Sequence, residues 1–308
     1  LETNGIRLRC VVEGDGPLVI LLHGFPQCWY LWRHQNDPLI EQGWRVCVPD
    51  QRGYGMSDCP PYVTDYGIRN LCADVDGLAT ALGHDDYVLG IHDWGAVVGW
   101  NLALLYRHRV RAILGLSIPY SRDPRLPAMC TQEYWGEQFF YWAYFLSEVG
   151  QAEQEIERDW RTYLMRMYHG ASGDHDFRAD PRTARTLLDL PPPVPDELPS
   201  WLTEDDLDYY VEVVQRSGAR GPINWYRNIP LLLADTAELN GVKIPQPTRF
   251  VIGSRDPSQH FHALEGHAER FDDLRDETVI EGAGHWLPLE ATDRVTELML
   301  EFYSEFVA

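Results

Sequence analysis

The sequence predicts an α/β fold in which a mostly parallel sheet is covered by helices on both faces. Short apolar runs rich in β-branched residues recur along the chain, and segments of helical length separate the first four of them. Polar residues follow directly after several of these runs. Alternating buried strands and helices are typical of parallel sheets. Ligands of such sheets bind at the carboxyl ends of the strands, where these polar residues stand.

The predicted elements divide the chain into three parts. Strands are expected at 18–22, 45–49, 87–91, 112–117, 248–252 and 278–280, and helices at 66–82 and 96–106. The alternation then breaks, and the pattern becomes helical, aromatic and irregular. We therefore predict a first part of the core at 1–120, a helical cap at 121–228 and a second part of the core at 229–308. Within the cap, the proline-rich segment 191–195 predicts a stiff connector.

The composition limits the possible partners and location. A chain of 308 residues can bury one large core. Its formal net charge of −21 argues against a nucleic-acid partner, because phosphate binding needs a basic face. The six cysteines form no C-x-x-C pair, and no apolar run approaches the roughly 20 residues of a membrane span. We expect a cytoplasmic monomer or homodimer with free thiols and without a membrane span, metal ion or cofactor.

One short stretch has the form of a nucleophile elbow. Residues 88–100, VLGIHDWGAVVGW, begin as a buried strand, turn around Asp93 and continue as a helix of small and apolar residues. In many hydrolases this turn has the pattern G-x-S-x-G and exposes a serine nucleophile. Asp93 takes the place of that serine, and the N-terminal end of the helix would stabilise its negative charge. Ile91 departs from the pattern, because the elbow prefers a small residue there.

Two residues after later strands complete a candidate catalytic triad. His285 follows the last predicted strand within GAGHW, where glycines permit a tight loop. Asp256 follows the preceding strand and is expected to orient the imidazole and to stabilise its charged form. The order nucleophile, acid, histidine along the chain is the order found in α/β-hydrolases.

A backbone site for an oxyanion is predicted beside the elbow. The N–H of Phe25, in the sequence HGFP, would act together with the N–H of Trp94, the residue after the nucleophile. Pro26 permits a cis peptide bond that would turn the Phe25 amide inward. We expect these two amides to form an oxyanion hole.

Several motifs together resemble one family. They are HGFPQCWYLWRHQ (23–35), PDQRGYGMSD (49–58), HDWGA (92–96), RGPINWYRN (220–228) and GAGHW (282–286). With these segments the chain resembles epoxide hydrolases of the α/β-hydrolase fold, and the likeness covers nearly all of it. The resemblance implies that the enzyme converts lipophilic epoxides and water to vicinal diols.

The resemblance also implies roles for residues of the cap and the pocket. Two cap tyrosines of the family donate hydrogen bonds to the epoxide oxygen. One matches Tyr226 in NWYRN, and the other matches Tyr141 in YWAYF, where Tyr144 is the alternative. The substrate pocket is expected to be lined by Phe25, Pro26, Trp94 and Trp286.

An aspartate at the elbow favours attack at an sp3 carbon. A carboxylate that opens an epoxide or displaces a halide forms an ester, and water can hydrolyse this ester at the carbonyl carbon of Asp93. A serine in the same place would form an ether, which has no such carbonyl. The residue type therefore argues against an esterase or a protease.

Two alternatives to an epoxide hydrolase remain. A dehalogenase would use the same nucleophile, but Phe25 has no side-chain donor for a halide, and Trp94 and Val97 stand where fluoroacetate dehalogenases carry arginines. The tyrosine pair favours the epoxide hydrolase. A binding protein that has kept the hydrolase fold without turnover is the other alternative, but all three members of the candidate triad are present.

Overall fold

The structure, a computed structural model, describes residues 1–175, 186–187, 197–260, 262 and 264–307. The proline-rich segment 191–195 lies outside these residues. The strands are β1 (Glu2–Thr3), β2 (Ile6–Arg7), β3 (Cys10–Glu13), β4 (Leu18–Leu22), β5 (Arg45–Pro49), β6 (Tyr87–His92), β7 (Val110–Leu116), β8 (Thr248–Gly253) and β9 (Leu274–Ile280).

Helices alternate with these strands and then accumulate between β7 and β8. Those of the first part are α1 (Arg33–Glu41), α2 (Ile68–Ala81) and α3 (Trp94–Leu105). The helices between β7 and β8 are α4 (Leu126–Met129), α5 (Gln132–Trp135), α6 (Tyr141–Ser147), α7 (Gln151–Arg158), α8 (Trp160–Gly170), α9 (Glu204–Ser217), α10 (Arg220–Arg227) and α11 (Ile229–Asp235). The last two are α12 (Leu287–Glu290) and α13 (Thr292–Tyr303).

Seven of the described strands form a sheet of order β3-β5-β4-β6-β7-β8-β9, and β1 and β2 pair separately. Within the seven-stranded sheet, β3 runs antiparallel to β5 and every other pair is parallel, so the predicted fold class is confirmed. All five residues of β4 and all six of β6 are buried. Burial on both faces explains why these strands are continuous apolar runs.

The two faces of the sheet pack against different helices. In β4, Val19 and Leu21 belong to a cluster with residues of α1 and α13, whereas Ile20 and Leu22 belong to a cluster with residues of α2 and α3. Successive side chains of a strand point to opposite faces, which produces this division. The second cluster continues into the helices between β7 and β8, so these helices share their apolar core with the sheet.

The positions of the central strands were predicted closely from the sequence, whereas fewer of the helices were predicted. The predicted helix at 66–82 is a 3-10 turn at Val63–Tyr66 followed by α2, and the predicted helix at 96–106 begins two residues earlier, at Trp94. The edge strand β3 and the C-terminal helix α13 were not predicted. In the described part of the chain, we find no helix with the length and apolar character needed to cross a membrane.

Candidate active site

The elbow between β6 and α3 presents Asp93 from a strained turn. Asp93 has φ of 52° and ψ of −123°, a backbone conformation that residues other than glycine rarely adopt. A side chain at Gly95 would come within 2.4 Å of the carbonyl oxygen of Leu22, so the turn needs glycine there. The large Ile91 is accommodated because Gly99 faces it, where a Cβ would lie 2.6 Å from Ile91 Cγ2.

The candidate oxyanion hole already holds one oxygen of the candidate nucleophile. The N–H of Phe25 donates to Asp93 Oδ1 at 2.7 Å, and the Phe25–Pro26 peptide bond is cis. Gly24 makes this approach possible, because a Cβ there would lie 2.0 Å from Asp93 Oδ1 and 2.5 Å from the nitrogen of Trp94. The structure therefore brings both predicted amides to the carboxylate.

His285 lies between two carboxylates. Its Nε2 is 3.5 Å from Asp93 Oδ2, and its Nδ1 is 3.1 Å from Asp256 Oδ2. Asp256 Oδ1 also accepts a hydrogen bond of 2.8 Å from the N–H of Ser258. The carbonyl of His285 is held by Ser117 Oγ at 2.9 Å. The three residues that were predicted from separate strand ends thus form one continuous chain of contacts.

The charges of this triad favour its ionised state. Burial alone would lower the pKa of His285, but the two neighbouring aspartates raise it to about 10. Burial alone would raise the pKa of Asp93 and of Asp256, yet the interaction with His285 holds both below the ordinary value for aspartate. The N–H of Trp94 adds to this effect at Asp93. At neutral pH the resting triad is a carboxylate, an imidazolium and a second carboxylate.

A cavity of about 650 Å³ opens above the elbow between the sheet and the helices that follow β7. Its lining is mainly aromatic and apolar. Of the predicted residues, it includes Phe25, Asp93, Trp94, Tyr141, Tyr226, His285 and Trp286. Pro26, which was expected in the pocket, is not among the lining residues, and Asp256 stands behind His285.

The two predicted tyrosines face each other in this cavity. The ring centroids of Tyr141 and Tyr226 are 5.7 Å apart, and Tyr226 also packs edge-on against Trp94 at 5.1 Å. Burial, together with the nearby charge of Asp93, raises the pKa of both phenols, which therefore remain donors. Tyr144 is not among the lining residues, and its hydroxyl donates to Glu155 Oε2 at 2.7 Å.

Sequence reasoning missed a half-buried glutamate that holds the His285 loop. The carboxylate of Glu290 accepts hydrogen bonds from the N–H groups of Gly173, Gly284 and Trp286 at 2.7, 2.9 and 2.8 Å. The residues on either side of His285 are thus tied to the segment after α8. A glutamate in the first turn of a helix is common, so the sequence offered no signal for this role.

Comparison with known proteins agrees with this geometry. A family model described as alpha/beta hydrolase fold matches residues 17–292. Epoxide hydrolase A of Mycobacterium tuberculosis is 40% identical, over 98% of this chain and 95% of that protein. Epoxide hydrolase 1 of Siraitia grosvenorii is 32% identical, over 99% and 97%. The crystal structure of epoxide hydrolase A from Mycobacterium thermoresistibile superposes with a TM-score of 0.90 at 38% identity, covering 98% of this chain and 96% of that one.

The elbow, the candidate triad and the parallel sheet define an α/β hydrolase with a carboxylate at the elbow position. Since the three relatives named above match over nearly their whole length, the chain belongs to the epoxide hydrolases of the α/β-hydrolase fold family. The resemblance seen in the sequence is confirmed.

Proposed function

We propose that this enzyme hydrolyses lipophilic epoxides to vicinal diols through a covalent ester on Asp93. The observation that carries the proposal is the environment of the two carboxylate oxygens. Oδ1 accepts the Phe25 N–H at 2.7 Å, whereas Oδ2 lies 3.5 Å from His285 Nε2, and both residues line the cavity. A carboxylate held by one oxygen and ionised at neutral pH is ready to attack with the other.

In the first half-reaction Asp93 attacks a ring carbon while Tyr141 and Tyr226 bind the epoxide oxygen. Both hydroxyls remain protonated because burial raises the pKa of each phenol. They can therefore donate hydrogen bonds to the oxygen and supply the proton that the opening ring requires. Each donor is expected to lower the barrier by on the order of 1–3 kcal/mol.

In the second half-reaction water attacks the carbonyl carbon of the ester. Ester formation removes the negative charge of Asp93, which is one of the two charges that raise the pKa of His285. The pKa of His285 must then fall, so the imidazolium gives up a proton, which replaces the one that a cap tyrosine donated to the epoxide oxygen. The neutral imidazole that remains accepts a proton from water. Asp256 orients the ring, and the N–H groups of Phe25 and Trp94 stabilise the oxyanion.

The segment 121–228 is proposed to act as the cap of this site. The support is that Tyr141 and Tyr226, from α6 and α10, line the same cavity as Asp93. Phe25, Trp94 and Trp286 supply apolar walls, which suits lipophilic epoxides better than charged ones. The six cysteines are free, which supports a reducing compartment such as the cytoplasm.

Three substrates test the proposal. The purified enzyme is incubated with styrene oxide, a haloalkane and fluoroacetate, and the formation of diol, halide and fluoride is measured. We expect the enzyme to form diol from styrene oxide and the Asp93→Ala variant to form none. Halide or fluoride release without diol would identify a dehalogenase. Trp94 in the cavity wall would permit this reaction, because an indole N–H is a hydrogen-bond donor for a halide. No product from any substrate would favour a binding protein.

A further inference from the structure

We infer that the buried ion pair of Arg227 and Glu153 is a positioning device that fixes the distance between Tyr141 and Tyr226. This inference rests on the proposed function, because it assumes that the two hydroxyls act together on one epoxide oxygen. Arg227 directly follows Tyr226 at the end of α10, and Glu153 lies in the first turn of α7.

The guanidinium of Arg227 contacts three helices at once. Its two terminal nitrogens donate to the two oxygens of Glu153 at 2.6 and 3.0 Å. Its Nε donates to the carbonyl oxygen of Phe145 at 3.1 Å, and one terminal nitrogen also donates to Asn224 Oδ1 at 3.0 Å. Phe145 belongs to α6, four residues after Tyr141, and Asn224 belongs to α10, two residues before Tyr226. One planar group thus joins the helix of each tyrosine to α7.

The pair is almost completely removed from solvent. The side chains of Arg227 and Glu153 are 5% and 9% exposed. Removal of the two charges from water offsets much of their mutual attraction, so the presence of the pair is weak evidence that it stabilises the fold. Its two-point geometry is stronger evidence for a precise arrangement, because a bidentate arginine fixes both the distance and the orientation of its partners.

Phe145 also contacts both tyrosines through its side chain. Its ring packs edge-on against Tyr141 at 5.7 Å and against Tyr226 at 4.9 Å, between centroids. The backbone of Phe145 is therefore bound by Arg227 while its side chain packs against both phenols. A shift of α6 relative to α10 would move both hydroxyls away from a common point. In enzymes a displacement of about 1 Å can cost up to ~100-fold in rate.

The kinetics of the two half-reactions distinguish an ion pair that only stabilises the cap from one that positions the tyrosines. Loss of cap stability would slow both half-reactions, since both take place beneath the cap. Loss of tyrosine alignment would slow only ring opening, because the alkoxide exists only in that step. The two half-reactions can be separated by rapid mixing, in which alkylation of Asp93 and breakdown of the ester are followed as successive phases.

The experiment uses the full chain with styrene oxide. Glu153→Gln keeps the shape of the glutamate and removes its charge, and Arg227→Lys keeps the charge but loses the planar fork. The matched control is Asp74→Asn, which breaks another buried bidentate pair, that of Asp74 with Arg52. The side chains of Arg52 and Asp74 are 5% and 3% exposed. Thermal unfolding is measured for all three variants.

We expect Glu153→Gln and Arg227→Lys to slow ring opening by about ten- to a hundredfold and to leave ester hydrolysis unchanged. The control is expected to lose thermal stability without a selective effect on ring opening. In a Tyr226→Phe background, Glu153→Gln should slow ring opening less than it does alone, since the two changes act on the same interaction. Equal slowing of both steps, or no slowing of either, would overturn the inference.

The same measurements separate this inference from the proposed function. If Tyr141→Phe and Tyr226→Phe slow ring opening while the Arg227 and Glu153 variants do not, the proposed function stands and only the positioning role fails. If neither tyrosine variant slows ring opening, the proposed roles of the tyrosines fail, and the inference fails with them.

Discussion

The backbone N–H of Phe25 lies 2.7 Å from Oδ1 of Asp93, so the amide proposed for the oxyanion is already occupied by the carboxylate. We therefore propose different roles for the two carboxylate oxygens of Asp93. In the proposed mechanism, this hydrogen bond restrains Oδ1, and Oδ2 is the attacking atom. When the ester forms, the restrained oxygen becomes the carbonyl oxygen, already placed where negative charge will develop.

Replacement of Gly24 by alanine should destroy this arrangement. The new methyl group would lie 2.0 Å from Asp93 Oδ1 and 2.5 Å from the nitrogen of Trp94, so the carboxylate must move. We expect activity on styrene oxide to fall by at least ~100-fold. Gly67→Ala is the control, because its nearest neighbouring atom is 3.7 Å away. Near-normal kcat in the Gly24→Ala variant would contradict the proposed use of Oδ1.

Asp93→Ser should abolish turnover of epoxides instead of merely reducing it. A serine that opened the ring would form an ether, and an ether has no carbonyl carbon for water to attack. Diol formation is measured over many equivalents of substrate, with circular dichroism to verify folding. Sustained diol production by the purified variant would refute the assignment of Asp93 as nucleophile.

The cap tyrosines should act on ring opening alone. We expect Tyr141→Phe and Tyr226→Phe each to slow alkylation by about 10- to 100-fold, and the double change nearly to abolish it. Tyr144→Phe is the matched control, because its hydroxyl binds Glu155 and its side chain is not among those that line the cavity. A damaging Tyr144→Phe with a silent Tyr141→Phe would reverse this assignment.

His285→Gln should trap the covalent intermediate. Asp93 attacks as a carboxylate and needs no base, and the N–H groups of Phe25 and Trp94 still stabilise that carboxylate in the variant, whereas the water of the second step has lost its base. Excess styrene oxide is therefore expected to add one substrate mass per chain, which peptide mapping should place on Asp93. Asp256→Asn should slow the same step with less effect on the first. Normal steady-state turnover by His285→Gln, or an adduct on another residue, would rule out the mechanism.

Stability should depend on pH through the imidazolium. The pKa of His285 is raised from 6.5 to about 10 in the folded chain. The folded state holds the proton of His285 more tightly than the unfolded state does. The contribution of this imidazolium to the free energy of unfolding is therefore complete below pH ~6.5, decreases above that pH and is lost above pH ~10. The difference in free energy of unfolding between the native chain and His285→Gln should therefore shrink between these values. Urea unfolding measures it, with the exposed His108→Gln as control; a difference that does not change with pH contradicts the ion-pair geometry.

The sequence by itself determined the sheet and the order of the candidate triad. Buried parallel strands are continuous apolar runs, so their ends can be located without a structure. Because the carboxyl ends of parallel strands meet at one edge, the residues after them, Asp93, Asp256 and His285, could be expected to converge. The identity of the elbow residue also restricted the chemistry, since only a carboxylate there forms a hydrolysable ester with an sp3 carbon.

Only the tertiary structure decided which side chains of the helical segment reach the cavity. Tyr141 and Tyr144 are three residues apart on α6, and packing of the helix determines which of them faces Asp93. The contact between Arg227 and Glu153 joins residues 74 positions apart on different helices, and no local pattern encodes such a pair. Strand ends are determined by local hydrophobicity, whereas the rotation and docking of short amphipathic helices depend on neighbours that are distant in the sequence.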